Sequence, residues 1–97
     1  MNIQHIDRKS FLDHLHAVED KFPLRFVGLL PRGTAAHVSE DDAIDLLAER
    51  REGLSLLGLA GAEIELGERL GRPVGIVLVG GLRGDYGERV KSSARPL

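Results

Sequence analysis

Two short apolar runs, AIDLLAE at 43–49 and VGIVLVG at 74–80, stand on either side of LSLLGLAGAEIELGERL at 54–70. No other feature of the chain restricts its fold as much. Each run is short and bounded by turn residues, so each reads as a strand. The second is apolar at nearly every position, as expected of a strand covered on both faces. The segment between them has leucines at helical spacing and stops at Gly71, with Pro73 just beyond. Glycine suits the position after a helix, and proline cannot prolong one. Strand, helix and strand in succession make parallel neighbours joined by a right-handed crossover.

Upstream, Asp7 or Ser10 can cap a first helix on which Phe11, Leu12, Leu15, Val18 and Phe22 share a face, and Pro23 ends it. LRFVGLL at 24–30 reads as a buried strand closed by Pro31. The polar loop PRGTAAHVSEDD leads to the strand at 43–49, and RREG breaks that strand. LRGDYGERVKSS at 82–93 is a weaker final helix, with Leu82, Tyr86 and Val90 at i, i+4 and i+8. The expected order is α-β-β-α-β-α: one α+β domain spanning 1–97, a small mixed sheet with helices packed on it. On the long helix the expected apolar face is Leu57, Ala60, Gly61 and Ile64, widened by Leu54, Leu66 and Leu70. Gly58, Gly61 and Gly67 lie inside that helix, each at a cost of about 1 kcal/mol relative to alanine. Close packing against the sheet, or close approach of a partner helix, would account for them.

Composition narrows the function. Thirteen basic and fifteen acidic residues give a net charge of -2, without a lysine-arginine block. A dedicated nucleic-acid-binding module would need the opposite balance, because phosphate neutralisation supplies most of its affinity. With no cysteine there is neither a disulfide nor a thiolate metal site. No apolar run approaches the roughly 20 residues of a membrane span, and MNIQHIDRKSFLDHL has no continuous apolar stretch. The expectation is a soluble cytoplasmic protein. His14 and His16 are two apart on a helix and point in different directions, while His5 and His37 are isolated, so no pair has chelating spacing. Arg32 and Arg83 could meet a phosphate, although single arginines are usually surface residues. The Arg-Gly-Asp triplet at 83–85 stands alone, and no serine, histidine and acid arrangement suggests acyl transfer.

The framework of the chain resembles a known family. A leucine-rich helix, GRPV opening a strand, and an ERV helix ending in ARPL are similar to the end of a minimal nucleotidyltransferase domain, a small relative of polymerase β. LRFVGLLPRGTAAHVSEDDAIDLLAE falls on that family's first two strands, so the resemblance covers nearly the whole chain. Members resemble one another most at a Gly-Ser turn after the first strand, an Asp-x-Asp pair on the second, and one Asp on the third. Nucleotidyl transfer places two magnesium ions roughly 3.5–4 Å apart on the attacking and leaving oxygens. Magnesium requires converging oxygen ligands, which residues i and i+2 of one strand face can supply.

This chain departs from that pattern. The Gly-Ser turn falls on Pro31 and Arg32, and proline lacks the N–H a phosphate cradle uses. A second register sets GLLPRG, 28–33, on the turn with a three-residue insertion, and puts Leu29 at the serine. The Asp-x-Asp pair falls on Ala43 and Asp45, and the third carboxylate on Gly75. Asp41 would share a face with Asp45 only about 13 Å away on an extended strand, and Asp42 would point oppositely. The acids of SEDDAIDLLAE are therefore expected in a solvated loop rather than at a working metal site. The resemblance implies a nucleotidyltransferase fold without metal-dependent catalysis, with no cofactor expected, acting by binding. Its relatives commonly serve as antitoxins of all-helical HEPN ribonuclease toxins, so a HEPN-like toxin or a second copy of the chain is the implied partner. The rival readings are an active transferase using magnesium, ATP, Asp45 and Asp41 or Asp42, and a self-associating scaffold.

Overall fold

The computed structural model describes residues 7–38 and 41–97. Its elements are α1 (Arg8–Lys21), β1 (Leu24–Leu30), β2 (Ile44–Arg50), α2 (Leu56–Leu70), β3 (Val74–Leu78), a 3-10 turn at Val79–Gly81, α3 (Gly84–Ser93) and β4 (Arg95–Pro96). The mixed α+β order expected from the sequence holds, with one addition. Arg95–Pro96 forms a fourth strand, antiparallel to β1, in a sheet ordered β3-β2-β1-β4. Two residues, one a proline that cannot donate to a ladder, carry no readable period, so the sequence reading passes over this edge. β1 and β2 are antiparallel, and β2 and β3 are parallel across α2, as the crossover requires. β3 is shorter than its apolar run, which turns out of the sheet at Val79.

Side-chain alternation divides the sheet into two unequal faces. Ile44, Leu46 and Ala48 join Leu24, Phe26, Val74 and Ile76 against the buried residues of α1 and α2. Leu15 and Val18 come from α1; Ala62, Leu66 and Leu70 come from α2. The other face holds a smaller cluster of Leu30, Leu47 and Val90, covered by α3. A bulge between Phe26 and Gly28 shifts the β1–β2 register, so that Leu30 comes to lie opposite Asp45. The Phe26 N–H at this bulge donates to Glu19 Oε2 at 2.8 Å, which ties α1 to the irregular point of the strand.

The helices correct two expected faces. The α2 residues Leu57 and Ile64 are exposed, as is Leu56, and the helix turns Ala62, Leu66 and Leu70 inward instead. Both stripes are apolar at helical spacing, and only the packing against α1 and β3 selects between them. On α3, Val90 is buried but Tyr86 is exposed, and Gly87 takes the inner position. A Cβ at Gly87 would lie 2.8 Å from the Leu82 backbone, so only glycine lets the helix sit this close. The α2 glycines are close to other parts of this chain. A Cβ at Gly61 would meet the Phe22 ring at 3.0 Å, and one at Gly67 would meet the Arg72 carbonyl at 3.1 Å. Gly61 accommodates the end of α1, and Gly67 the helix's own C-terminal turn where it leads into β3. Ser55 caps α2 by accepting from the Gly58 N–H, and Gly71 ends it at φ 71°. Asp7 is the N-cap residue of α1, without a side-chain cap bond. Among the described residues no helix is long and apolar enough to cross a membrane.

Candidate functional site

Asp45 and Gly75 are direct register partners on β2 and β3. Both lie on the sheet face away from α1 and α2, and Ala43, two residues before Asp45, precedes β2 on the same side by alternation. Asp45 is 1% exposed, which corrects its expected place in a solvated loop. Its Oδ2 accepts from the Ala35 N–H at 3.1 Å, and its Oδ1 has no partner among the described residues. The lid over it is the β1–β2 loop. A Cβ added to Gly75 would lie 2.5 Å from Ala35 Cβ, 3.2 Å from Asp45 Oδ1 and 3.3 Å from Val38 Cγ2. Ala35 thus fills the volume that a side chain at position 75 would enter.

Two contacts hold the loop in that position. Thr34 donates through N–H and Oγ1 to the Pro31 carbonyl, at 3.2 and 2.6 Å, in a turn whose Gly33 has φ 89°. At the far end His37 Nε2 lies 2.7 Å from Glu63 Oε2, and that oxygen also accepts the Ile76 N–H at 2.8 Å. The Glu63 carboxylate therefore joins loop, α2 and β3. Pro31 is exposed and its turn presents a carbonyl inward on itself. Gly28 and Leu29 belong to the paired body of β1, so neither register forms a free Gly-Ser cradle.

Asp41 and Asp42 are exposed and lie in a turn before β2 rather than on an extended strand. Ser39, Glu40 and His5 fall outside the described residues. His14 and His16 remain on α1, half-buried and exposed respectively, and Glu49 is at the surface beside Arg25. Among the described residues no three His, Asp or Glu side chains converge in a way that could hold a metal ion. A two-magnesium centre needs several carboxylates at one point. This donor set, one buried carboxylate with one oxygen engaged by a backbone N–H, does not fit it.

Arginine gathers where the carboxylates are missing. A cleft of about 820 Å³ opens at the end of the sheet and is lined by Arg8, Arg32, Arg72 and Arg95, with Asp45 its one acidic residue. Ala43 lies in its wall, and Phe11, Leu12, Leu29 and Leu97 give it an apolar side. Arg32 Nη1 donates to the Asp41 carbonyl at 2.5 Å and Arg72 Nε to the Asp42 carbonyl at 2.7 Å. Arg83, the other arginine singled out from the sequence, precedes α3 and does not line the cleft. Sequence reasoning missed Arg8, Arg72 and Arg95 because they are 23 to 87 positions apart and meet only through the sheet. The one available signal was that Arg72 and Arg95 each precede a proline at a strand end, in GRPV and ARPL.

Element order, register and a strand-borne acid beside a crossover helix define a nucleotidyltransferase-like α+β fold. Within that class, the fold is that of a minimal nucleotidyltransferase domain. It is similar to a solved structure provisionally described as a minimal nucleotidyltransferase, at TM-score 0.67 and 29% identity, over 96% of this chain and 98% of that one. It also shares its fold with a chain from a toxin–antitoxin crystal structure with AMP-PNP, at TM-score 0.65 and 12% identity, over 94% of this chain and 72% of that one. No protein-family profile matches the chain, and no curated protein matches it either.

Proposed function

We propose that this chain acts by binding rather than by nucleotidyl transfer, as an antitoxin-like partner of a helical HEPN-type toxin in the cytoplasm. The observation that carries the reading is the packing of Ala35 over Asp45 and Gly75. Transfer depends on preorganised charge at the phosphoryl group. Here the position beside the remaining acid is glycine, and the adjacent volume is filled by the chain's own loop. A protein partner is supported by a second observation. Leu56, Leu57, Ile64 and Tyr86 are exposed, with Leu56 and Leu57 at 85% and 84%. That one of the similar folds comes from a toxin–antitoxin assembly agrees with this reading.

The test pairs two measurements. The purified chain is mixed with a HEPN-type ribonuclease, without magnesium or ATP, and ribonuclease activity is titrated. Loss of activity at stoichiometric addition is expected. Transfer of label from α-labelled ATP to the toxin, abolished by Asp45→Ala, would instead establish the enzyme. Sedimentation showing a self-associated chain indifferent to the toxin would favour the scaffold.

A further inference from the structure

We propose that the arginine-lined cleft binds a polyphosphate anion directly, without a metal ion. The four guanidiniums come from four separate segments: α1, the β1–β2 loop, the α2–β3 turn and β4. Arginine is charged at every pH the fold survives, so the cleft concentrates positive charge. No arginine of the four forms an ion pair with a carboxylate among the described residues, and the one lining acid is buried and hydrogen-bonded to Ala35. Asp41 and Asp42 are exposed, and Arg32 and Arg72 bond to their backbone carbonyls rather than to their carboxylates. Each such bond uses one N–H of a five-donor fork. It fixes the side chain and leaves the remaining donors for a ligand.

The ligand chemistry follows from the geometry. Planar forks match phosphate oxygens in paired hydrogen bonds, and linked phosphates put several charges within reach of several forks. A volume of about 820 Å³ is ample for a triphosphate and falls in the roughly 300–1,000 Å³ range of small-molecule sites. A magnesium-dependent site presents carboxylates to the ion and lets the ion hold the phosphates. Here the protein itself supplies the positive charge, so magnesium competes for the anion rather than recruiting it. The apolar wall of Phe11, Leu12, Leu29 and Leu97 would add affinity for a phosphate carried on a flat apolar group.

The experiment is calorimetric titration of the full chain with inorganic tripolyphosphate in EDTA at low ionic strength. Saturable binding is expected, weakening as salt is raised and again when magnesium is added in excess of EDTA. Arg8→Gln and Arg95→Gln should each weaken binding at least about tenfold, the scale of one charged hydrogen bond. Arg83→Gln, outside the cleft, should leave it unchanged. If a glutamine variant shifts the denaturation midpoint, Arg95→Lys decides the matter: it keeps the charge, loses the fork, and should bind more weakly than the parent. ATP in EDTA binding more tightly than tripolyphosphate would assign the apolar wall. Absence of saturable binding, a requirement for magnesium, or equal loss in Arg83→Gln overturns the proposal. None of these outcomes depends on the toxin titration, so the two readings fail separately.

Discussion

The two sides of β2 are built from alternating residues of one strand, and they serve different ends. Ile44, Leu46 and Ala48 point into a continuous apolar core between sheet and helices. Asp45, between them, points to the other side, beneath a loop and beside a glycine. On the first side the chain satisfies only the requirement to exclude water, which any well-fitting apolar set can meet. On the second it keeps one ionisable group whose only hydrogen-bond partner among the described residues is a backbone N–H. Fold and chemistry are thus separable at single-residue spacing, and a chain can retain one while the other changes.

That comparison can be broken most forcefully on the core side. Leu46 is fully buried, and Leu46→Ala should cost about 2–5 kcal/mol, the range for a cavity left by a core leucine. Asp45→Asn keeps an acceptor for the Ala35 N–H and should cost about 1 kcal/mol or less. Urea denaturation of both variants checks the ordering; a larger loss at Asp45 would mean that the carboxylate organises the fold.

A second, smaller effect probes the filled site itself. Gly75→Asp restores a carboxylate at the position the resemblance assigns to one, yet its Cβ must displace Ala35 and its charge must lie against Asp45. Overpacking of this kind costs about 1–3 kcal/mol before repulsion is counted. The variant should be less stable than the parent, and Ala35→Gly should recover part of the loss in a double-mutant cycle. Additive losses would show that the loop is not what excludes the side chain.

Smaller still is the expected stability change on the uncovered face of α2. Leu57→Ser and Ile64→Ser remove exposed apolar groups and should alter the unfolding free energy by within about 0.5 kcal/mol. Toxin titration should separate them from the parent if this face is the contact surface. A large destabilisation would place these residues in a core.

How far the sequence reveals this molecule depends on which interactions are local. The crossover between β2 and β3, the Gly71 stop and the inward face of α1 follow from periods and caps carried within each segment. α2 shows where this fails. It has two apolar stripes, Leu57–Ala60–Ile64 and Ala62–Leu66–Leu70, and spacing alone cannot say which one meets the sheet. The choice is made by Phe22 against Gly61, a contact from a distant part of the chain, and by the turn at Gly67. Asp45 opposite Gly75 could be placed from the alignment of strands. Ala35 over both could not, because a loop has no period and its path depends on contacts such as His37 with Glu63. The arginine cleft is the extreme case, assembled from four segments and visible in none of them.

The gentlest way to sharpen the comparison lies at the surface of α2, where charge rather than packing joins the helices. Glu65 receives Lys21 from the end of α1, Nζ to Oε2 at 2.9 Å, and Arg69 one turn along its own helix at 3.1 Å. The Lys21 hydrogen bond is the main reason its carboxyl titrates below the usual glutamate range, with Arg69 adding to the effect and partial desolvation opposing it. A folded-state pKa below the unfolded one means that the network stabilises the protein above the unfolded value. That contribution disappears as pH falls through the folded value. At a solvated site the benefit is small and screened by salt. Carboxyl-carbon NMR titration should therefore place the Glu65 midpoint below that of an ordinary glutamate, and Lys21→Met should move it up more than Arg69→Met does. If Arg69→Met proves the larger, Glu65 is held mainly within its own helix, and charge contributes less to joining α1 and α2 than the Lys21 contact suggests.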